Sequence, residues 1–119
     1  MYSPESMIGG LTHQVRLIRE ISQDSIICVC AAGRASTYLA TLAMLMGLHV
    51  RVGMEDTIYT WPHRDETLPS NAYHFSLVRG IAESLGRDLM GVEDYFKLIG
   101  ADPSKARAAA NLAVRTPAE

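Results

Sequence analysis

The sequence predicts an α/β fold in which parallel strands are joined by helices. Two segments carry this prediction: residues 26–30, a short and continuous apolar run, and residues 49–52, where apolar and polar side chains alternate. A helix-length apolar segment, residues 36–46, lies between them. Strands that alternate with helices form parallel sheets through right-handed crossovers. A chain of 119 residues is one domain at most.

The N-terminal part is predicted to be a loop, or a remnant of an earlier element, followed by a helix. Residues 1–10 contain a proline and two adjacent glycines, which favour turns. Residues 11–21 place apolar side chains at helical spacing, with Thr12 as the candidate N-cap. These side chains are Leu11, Val15, Ile18 and Ile21. A polar turn at residues 22–25 then leads into the first strand.

The first strand and the helix after it are both predicted to be buried. Residues 26–30 are apolar on both faces, which is typical of a central parallel strand. The helix over residues 36–46 is apolar nearly all round, so we expect it to pack on more than one side. Gly47 is expected to end it. Because two strands are too few for a stable open sheet, the sequence predicts that further strands pair with them.

A long loop and two helices are predicted after the second strand. Residues 53–70 form the loop, which has the length of a functional lid or binding loop. The next helix is expected to begin at Ser70 or Asn71 and to stop at Gly86. Its apolar face comprises Phe75, Val78, Ile81 and Leu85. A short helix is expected over residues 92–99.

Charge, hydropathy and cysteine content exclude several classes of function. A net charge of −2 gives no electrostatic basis for binding nucleic acid or a membrane surface. No apolar run approaches the roughly 20 residues that cross a bilayer, and no secretory signal is evident, so we expect a cytoplasmic protein. Cys28 and Cys30 share one strand face, a poor geometry for a disulfide, and a metal site would need further soft ligands. They are predicted to be buried, reduced thiols.

A polar cluster follows the second strand. Arg51 is on the strand, Gly53 can take backbone angles closed to other residues, and the adjacent carboxylates Glu55 and Asp56 come next. The carboxyl end of a strand is where α/β proteins place their chemistry. Two interpretations stay open: a catalytic cluster, or an ion pair that only holds a loop in place.

The residues around this cluster resemble a known family. His-Val-Arg-Val-Gly-Met-Glu-Asp at 49–56, Ser-Asn-Ala at 70–72 and Ile-Ala-Glu-x-Leu-Gly-Arg at 81–87 resemble the C-terminal end of the β-keto acid cleavage enzymes, which include the 3-keto-5-aminohexanoate cleavage enzyme of lysine fermentation. Ala-Gly-Arg at 32–34 is similar to the family's seventh loop. The resemblance implies the C-terminal part of a (β/α)8 TIM barrel, with the two predicted strands as its last two. A whole barrel takes around 250 residues, so we expect a fragment or split product.

The resemblance also implies roles for the polar cluster. Arg51 and Asp56 match the family's catalytic arginine and aspartate, which act in proton abstraction and enolate handling. Glu55 matches the glutamate that, with two histidines on an early strand, holds a divalent metal, normally zinc. No His-x-His pair occurs in this sequence, so the ligand set is incomplete. The implied reaction transfers an acyl group between a β-keto acid and acetyl-CoA and yields acetoacetate.

Two further residues are candidates for substrate binding. Arg34 lies where the seventh loop meets a helix N-terminus and could bind a carboxylate or a coenzyme A phosphate. Alternatively it is a solvent-facing residue at a helix start. Asn71 could contact the substrate or simply cap its helix.

The sequence predicts one division of the chain and leaves two hypotheses for its function. We expect residues 1–100 to be the partial barrel and residues 101–119 to be an alanine-rich tail, helical or frayed. The first hypothesis is an enzyme that becomes active when a homo-oligomer or the missing N-terminal part of the barrel completes it. The alternative is a truncated, non-catalytic remnant that serves as an oligomerisation or interaction module. A self-standing small binding protein is disfavoured, because two strands cannot bury these surfaces alone.

Overall fold

A computed structural model of the chain describes residues 3–101. These residues fall into two units, residues 3–88 and residues 89–101, which are described separately. The first unit contains, in order, α1 (Pro4–Ile21), β1 (Cys28–Val29), a 3₁₀ turn (Gly33–Ala35), α2 (Ser36–Leu45), β2 (His49–Val50) and α3 (Asn71–Ser84). The second contains α4 (Val92–Leu98).

Helix α1 begins earlier than its sequence predicts. Ser3 is the N-cap and its side chain accepts a hydrogen bond from the Ser6 amide at 3.2 Å, while Pro4 occupies the first turn. The prediction of a loop over residues 1–10 was therefore wrong for the residues described. Thr12 is not a cap; its hydroxyl donates to the Ile8 carbonyl at 2.7 Å inside the helix. The predicted apolar face is only partly covered, since Ile21 is 89% exposed.

The two strands pair in parallel, as the sequence predicts. Cys28 lies opposite His49 and Val29 lies opposite Val50, so the ladder is shorter than the runs 26–30 and 49–52 suggest. Within the described residues β1 has one neighbour, so it is not a strand buried on both faces. Cys28 and Cys30 are free but exposed. The two side chains form no disulfide with each other, their reduced state stays a prediction, and the prediction that they are buried was wrong.

The core of the first unit lies between α2 and α3. Ala40 and Met44 of α2 pack with Val78 and Ala82 of α3, and half-buried Val50, Val52 and Ile81 cover them. Small alanines at these positions allow the two helices to approach closely. Helix α2 ends as predicted, because Gly47 follows it with a φ of +72° that glycine adopts at low cost. Helix α3 ends at Ser84, Leu85 is its C-cap, and Gly86 follows with a φ of +69°.

The predicted apolar face of α3 is rotated in the structure. Phe75 is 51% exposed and Leu85 is 37% exposed, whereas His74, Val78 and Ala82 are buried. These three positions are spaced by four residues and form one stripe along the helix. Ser70 is the N-cap, because its hydroxyl accepts from the Tyr73 amide at 3.0 Å. Asn71 is the first helical residue and not the cap.

The fold is a small α/β arrangement that is compatible with part of a barrel. The barrel itself stays a prediction, and so does the division at residue 100, since residues 102–119 lie outside the described part of the chain. Helix α4 confirms the helix predicted over residues 92–99. In the part of the chain that is described, no helix is both long and apolar enough to span a bilayer.

Candidate functional site

The polar cluster lies just beyond the carboxyl end of β2. The Arg51 amide donates to the Val29 carbonyl at 3.0 Å, which places Arg51 directly after the last rung of the β1–β2 ladder. The chain then turns, because the Asp56 amide donates to the Gly53 carbonyl at 3.2 Å. Gly53 does not have a positive φ, so the expected special backbone angle is absent there. The short turn returns both carboxylates towards the arginine.

Arg51 contacts both carboxylates that follow it. Its Nη2 atom donates to Glu55 Oε1 and lies 3.5 Å from Asp56 Oδ2. The side chain of Asp56 is 17% exposed, against 73% for Glu55 and 56% for Arg51. Opposite charges close to the guanidinium, Asp56 foremost, raise the pKa of Arg51 above its ordinary value. The arginine is thus firmly cationic, and Asp56 is the shielded member of the cluster.

The surroundings of Asp56 include residues that the sequence prediction did not select. The Gly33 amide donates to the Asp56 backbone carbonyl at 2.8 Å and so joins the loop after β1 to the loop after β2. The Cys30 thiol lies close to the Asp56 carboxylate, and hydrogen bonding to that carboxylate is the main cause that raises the pKa of Cys30. Partial loss of hydration and the charge of Asp56 raise this pKa further, and the charge of Arg51 lowers it. A cysteine at the end of a strand beside the cluster was the sequence signal for this contact.

His74 also lies in this region, and the sequence prediction did not place it there. Its side chain is fully buried on α3, and Nε2 lies 3.5 Å from the Thr37 hydroxyl of α2. Nδ1 has no hydrogen-bond partner among the described residues. Burial lowers the pKa of His74, while the nearby charge of Asp56 acts to raise it. The four-residue spacing of His74, Val78 and Ala82 was the available signal that this histidine faces inward.

Asn71 contacts the same loop from the start of α3. Its Oδ1 atom accepts a hydrogen bond from the Met54 amide at 2.7 Å. This contact ties the turn that carries Glu55 and Asp56 to the helix. The alternative of a simple helix cap is excluded, because Ser70 fills that position. Asn71 therefore supports the cluster, and its contact with a substrate stays a prediction.

Arg34 lies beside the long loop and has its own set of partners. Its guanidinium carbon is 3.7 Å from the centroid of the Tyr59 ring. Nη1 donates to the Arg64 carbonyl and Nη2 donates to Asp65 Oδ1, both at 2.8 Å. Asp65 is 93% exposed, so water competes for this ion pair. The alternative of an uninvolved solvent-facing residue does not fit these contacts, and binding of an anion by Arg34 stays a prediction.

The aromatic residues of the loop pack around Tyr38 of α2. The ring of Tyr38 lies 6.4 Å from that of Trp61 and 6.0 Å from that of His63, and the Tyr38 hydroxyl is 3.2 Å from His63 Nδ1. Beside them is a cavity of about 430 Å³ with an almost entirely apolar lining that includes Met7, Leu42 and Trp61. These contacts give the aromatic residues a packing role within the first unit.

The expected zinc site requires several donor side chains close together. Among residues 3–101, no three His, Cys, Asp or Glu side chains lie close enough together to hold a metal ion. Glu55 is one exposed carboxylate whose partner here is Arg51. The residues described therefore do not fit a complete zinc site.

Comparison with known proteins adds one match. The sequence model of the beta-keto acid cleavage enzyme family matches residues 3–100 of the chain. This span includes Arg34, Arg51, Glu55, Asp56 and Asn71. No curated protein matches the chain.

Proposed function

Because the chain belongs to the beta-keto acid cleavage enzyme family, we propose that it supplies the catalytic arginine and aspartate for cleavage of a β-keto acid. The reaction transfers an acyl group between the β-keto acid and acetyl-CoA and yields acetoacetate and a new acyl-CoA. One observation carries this proposal: Arg51 contacts both Glu55 and Asp56 directly after a parallel strand.

Asp56 is the proposed proton acceptor. Its carboxylate is the most shielded group of the cluster, and a shielded carboxylate meets less competition from water. A base must come within hydrogen-bonding reach of the proton that it removes, and the 17% exposure leaves Asp56 partly accessible. Asp56 therefore combines a protected position with access.

Arg51 is the proposed stabiliser of the enolate. Its pKa is raised by the neighbouring carboxylates, so it keeps its positive charge throughout the reaction. A guanidinium presents several N–H donors in a fixed plane, and one set can hold Asp56 while another faces a developing oxyanion. Its present contact with exposed Glu55 is the one that a substrate oxygen would replace.

The described residues supply only part of the proposed zinc site. Because residues 3–101 contain no group of three donors, Glu55 can be only one ligand, and the others would come from residues outside this range or from another chain. No step of the reaction is assigned to the metal here. The roles of Arg51 and Asp56 stand on their own contacts.

Arg34 and Asn71 are the proposed substrate-binding residues. Arg34 offers a planar guanidinium at the start of α2, where a carboxylate or a coenzyme A phosphate could replace the exposed Asp65 carboxylate. Asn71 holds the turn before Glu55 through the Met54 amide and has its amide group beside the cluster. Both residues would orient a substrate relative to Asp56.

The test is a cleavage assay on the natural gene product. The protein is purified from its native source, its intact mass and metal content are measured, and acetoacetate formation is followed with acetyl-CoA and a panel of β-keto acids. We expect acetoacetate from at least one β-keto acid, and none after Asp56→Asn. Activity that persists in Asp56→Asn would contradict the proposed base.

A second candidate function is an assembly module without catalysis. It is favoured by the apolar side chains that α1 and α2 leave exposed, including Ile21 at 89% and Leu45 at 57%. Such surfaces favour contact with a further chain. A soluble, folded monomer in light scattering, with no partner chain present, would contradict this candidate.

A further inference from the structure

We propose that Cys30 is a positioning residue for Asp56, whose carboxylate it holds by donating a hydrogen bond from its thiol. This inference rests on the proposed function, in which Asp56 is the base. The residue does not act on the substrate itself. Its effect is to limit the orientations that the carboxylate can take.

The register of the sheet places Cys30 beside the cluster. Val29 pairs with Val50 in the parallel ladder, and the Arg51 amide bonds to the Val29 carbonyl. Cys30 and Arg51 are therefore the next residues at the carboxyl ends of two neighbouring strands. Residues at the same level of adjacent strands face the same side of a sheet, so both side chains reach the same space. Asp56 turns back into that space.

Asp56 needs a further restraint besides Arg51. The contact between Arg51 Nη2 and Asp56 Oδ2 is long, at 3.5 Å, and the same nitrogen also bonds to Glu55. The Gly33 amide fixes only the backbone carbonyl of Asp56, at 2.8 Å, and leaves the side chain free to rotate. The proposed second restraint is the thiol of Cys30, which the strand register places level with Arg51.

The protonation state of Cys30 suits a donor. Its pKa is raised, with the contact to Asp56 as the main cause, so the group is a neutral S–H at neutral pH. A reactive cysteine requires a lowered pKa, which excludes a nucleophilic role here. The charged and titratable groups that face the thiol are Asp56, Arg51 and Cys28, and only Arg51 favours the thiolate.

The first test measures the thiol directly and does not depend on activity. In the full chain carrying Cys28→Ser, the rate of alkylation of Cys30 by iodoacetamide is followed against pH. We expect an apparent pKa above that of a free cysteine thiol. Asp56→Asn removes the neighbouring charge and should raise the alkylation rate at pH 8 by about threefold or more. Asp65→Asn, a matched change beside Arg34, should leave the rate unchanged.

The second test measures the effect on the reaction. In the active gene product, Cys30→Ala should lower kcat by about threefold to tenfold, with little change in KM. Cys30→Ser keeps a donor of similar size and should restore most of the lost rate. Thermal unfolding of both variants shows whether the fold is retained.

The outcomes separate this inference from the proposed function. An ordinary thiol pKa that Asp56→Asn does not move would overturn the contact, whatever the activity. Full activity of Cys30→Ala, or no recovery in a folded Cys30→Ser, would overturn the positioning role. Absence of any acetoacetate formation by the unmodified protein, with a raised thiol pKa, would instead overturn the function on which that role depends.

Discussion

The guanidinium of Arg34 stacks on the ring of Tyr59, with 3.7 Å between the guanidinium carbon and the ring centroid. The same group also bonds to the backbone of Arg64 and to the carboxylate of Asp65. One side chain at the start of α2 thus contacts three residues of the loop over 53–70. Arg34 restrains this loop whether or not it also binds an anion.

Arg34→Ala should make the loop more accessible to protease. The change removes a cation–π contact and two hydrogen bonds, together worth on the order of 1–2 kcal/mol. Chymotrypsin should then cleave after Tyr59 about tenfold faster under native conditions. Arg64→Ala is the matched control, because Arg64 contributes only its backbone carbonyl. Equal cleavage rates in the two variants would show that Arg34 does not restrain the loop.

Arg51→Ala should lower kcat for β-keto acid cleavage by about 100-fold, since it removes the group proposed to stabilise the enolate. Steady-state kinetics with acetoacetate detection would measure the loss. Arg51→Lys should recover little, because an ammonium cannot replace a planar guanidinium in a shared contact.

Arg79 offers a closely matched control for Arg51. Both arginines pair with a glutamate four residues later, and both side chains are 56% exposed. Arg79→Ala lies on α3 away from the turn and should keep full activity. If Arg51→Ala were no worse than Arg79→Ala, Arg51 would be only a surface ion pair.

His74 should make stability depend on pH. Burial lowers its pKa from 6.5, so the unfolded chain takes up the proton at a higher pH than the folded chain. The contribution of neutral His74 to the free energy of unfolding is fully present above about pH 6.5. It is lost as the pH falls towards the lower pKa of the folded state. In urea unfolding series, His74→Gln should therefore show a smaller loss of stability between about pH 7 and pH 5 than the parent.

His13→Gln is the control for that series. His13 is exposed on α1 and contacts only Arg16 among the interactions described for it. Its substitution should leave the pH dependence unchanged. A parent and a His74→Gln variant with parallel stability curves would rule out His74 as the titrating group.

Asn71→Ala should destabilise the first unit by about 1 kcal/mol, because the Met54 amide would lose its acceptor. Asn71→Asp keeps an acceptor at the same place and adds a negative charge at a helix N-terminus, so it should retain most of the stability. Denaturant unfolding monitored by Trp61 fluorescence would compare them. Equal stability of all three proteins would mean that the Met54 contact is not formed in solution.

Two glycines should respond in opposite directions to alanine. Gly47→Ala places a side chain at a φ of +72° and should cost about 1–2 kcal/mol. Gly80→Ala lies inside α3 with no atom within 4 Å of the added Cβ, and it should stabilise by about 0.5–1 kcal/mol. Thermal unfolding would show a lower midpoint for the first and a higher one for the second. Two shifts of the same sign would contradict the assigned backbone conformations.

The α/β class, the parallel pairing and the helix ends at Gly47 and Gly86 could be predicted from the sequence. Each depends on a local signal, such as a glycine after an apolar segment, that tertiary contacts did not override. The start of α1 could not be predicted from the sequence. Stabilisation by the N-cap Ser3 and by Pro4 in the first turn exceeds the cost of two glycines inside the helix. Burial was predicted less well, since exposure of Cys28 depends on how many strands lie beside it.

The candidate site was predictable in part for a similar reason. Arg51, Glu55 and Asp56 are close in sequence, so a short turn is enough to bring them together. Cys30 and His74 join them only through the strand register and the packing of α3 on α2. Contacts of that kind depend on the tertiary structure and have no signature in a local motif.

The bond between the Gly33 amide and the Asp56 carbonyl links two loops through main-chain atoms alone. At positions other than 33, no exchange of side chains removes either partner. Position 33 is the exception, because proline there removes the amide and any other side chain strains the φ of +75°. Substitutions in both loops can therefore alter which molecule is recognised while the loops stay attached to one another. Insertions and deletions have the opposite effect, because they displace the donor from its acceptor. In relatives of this protein, divergence in these two loops should accordingly proceed by replacement of residues at constant loop length.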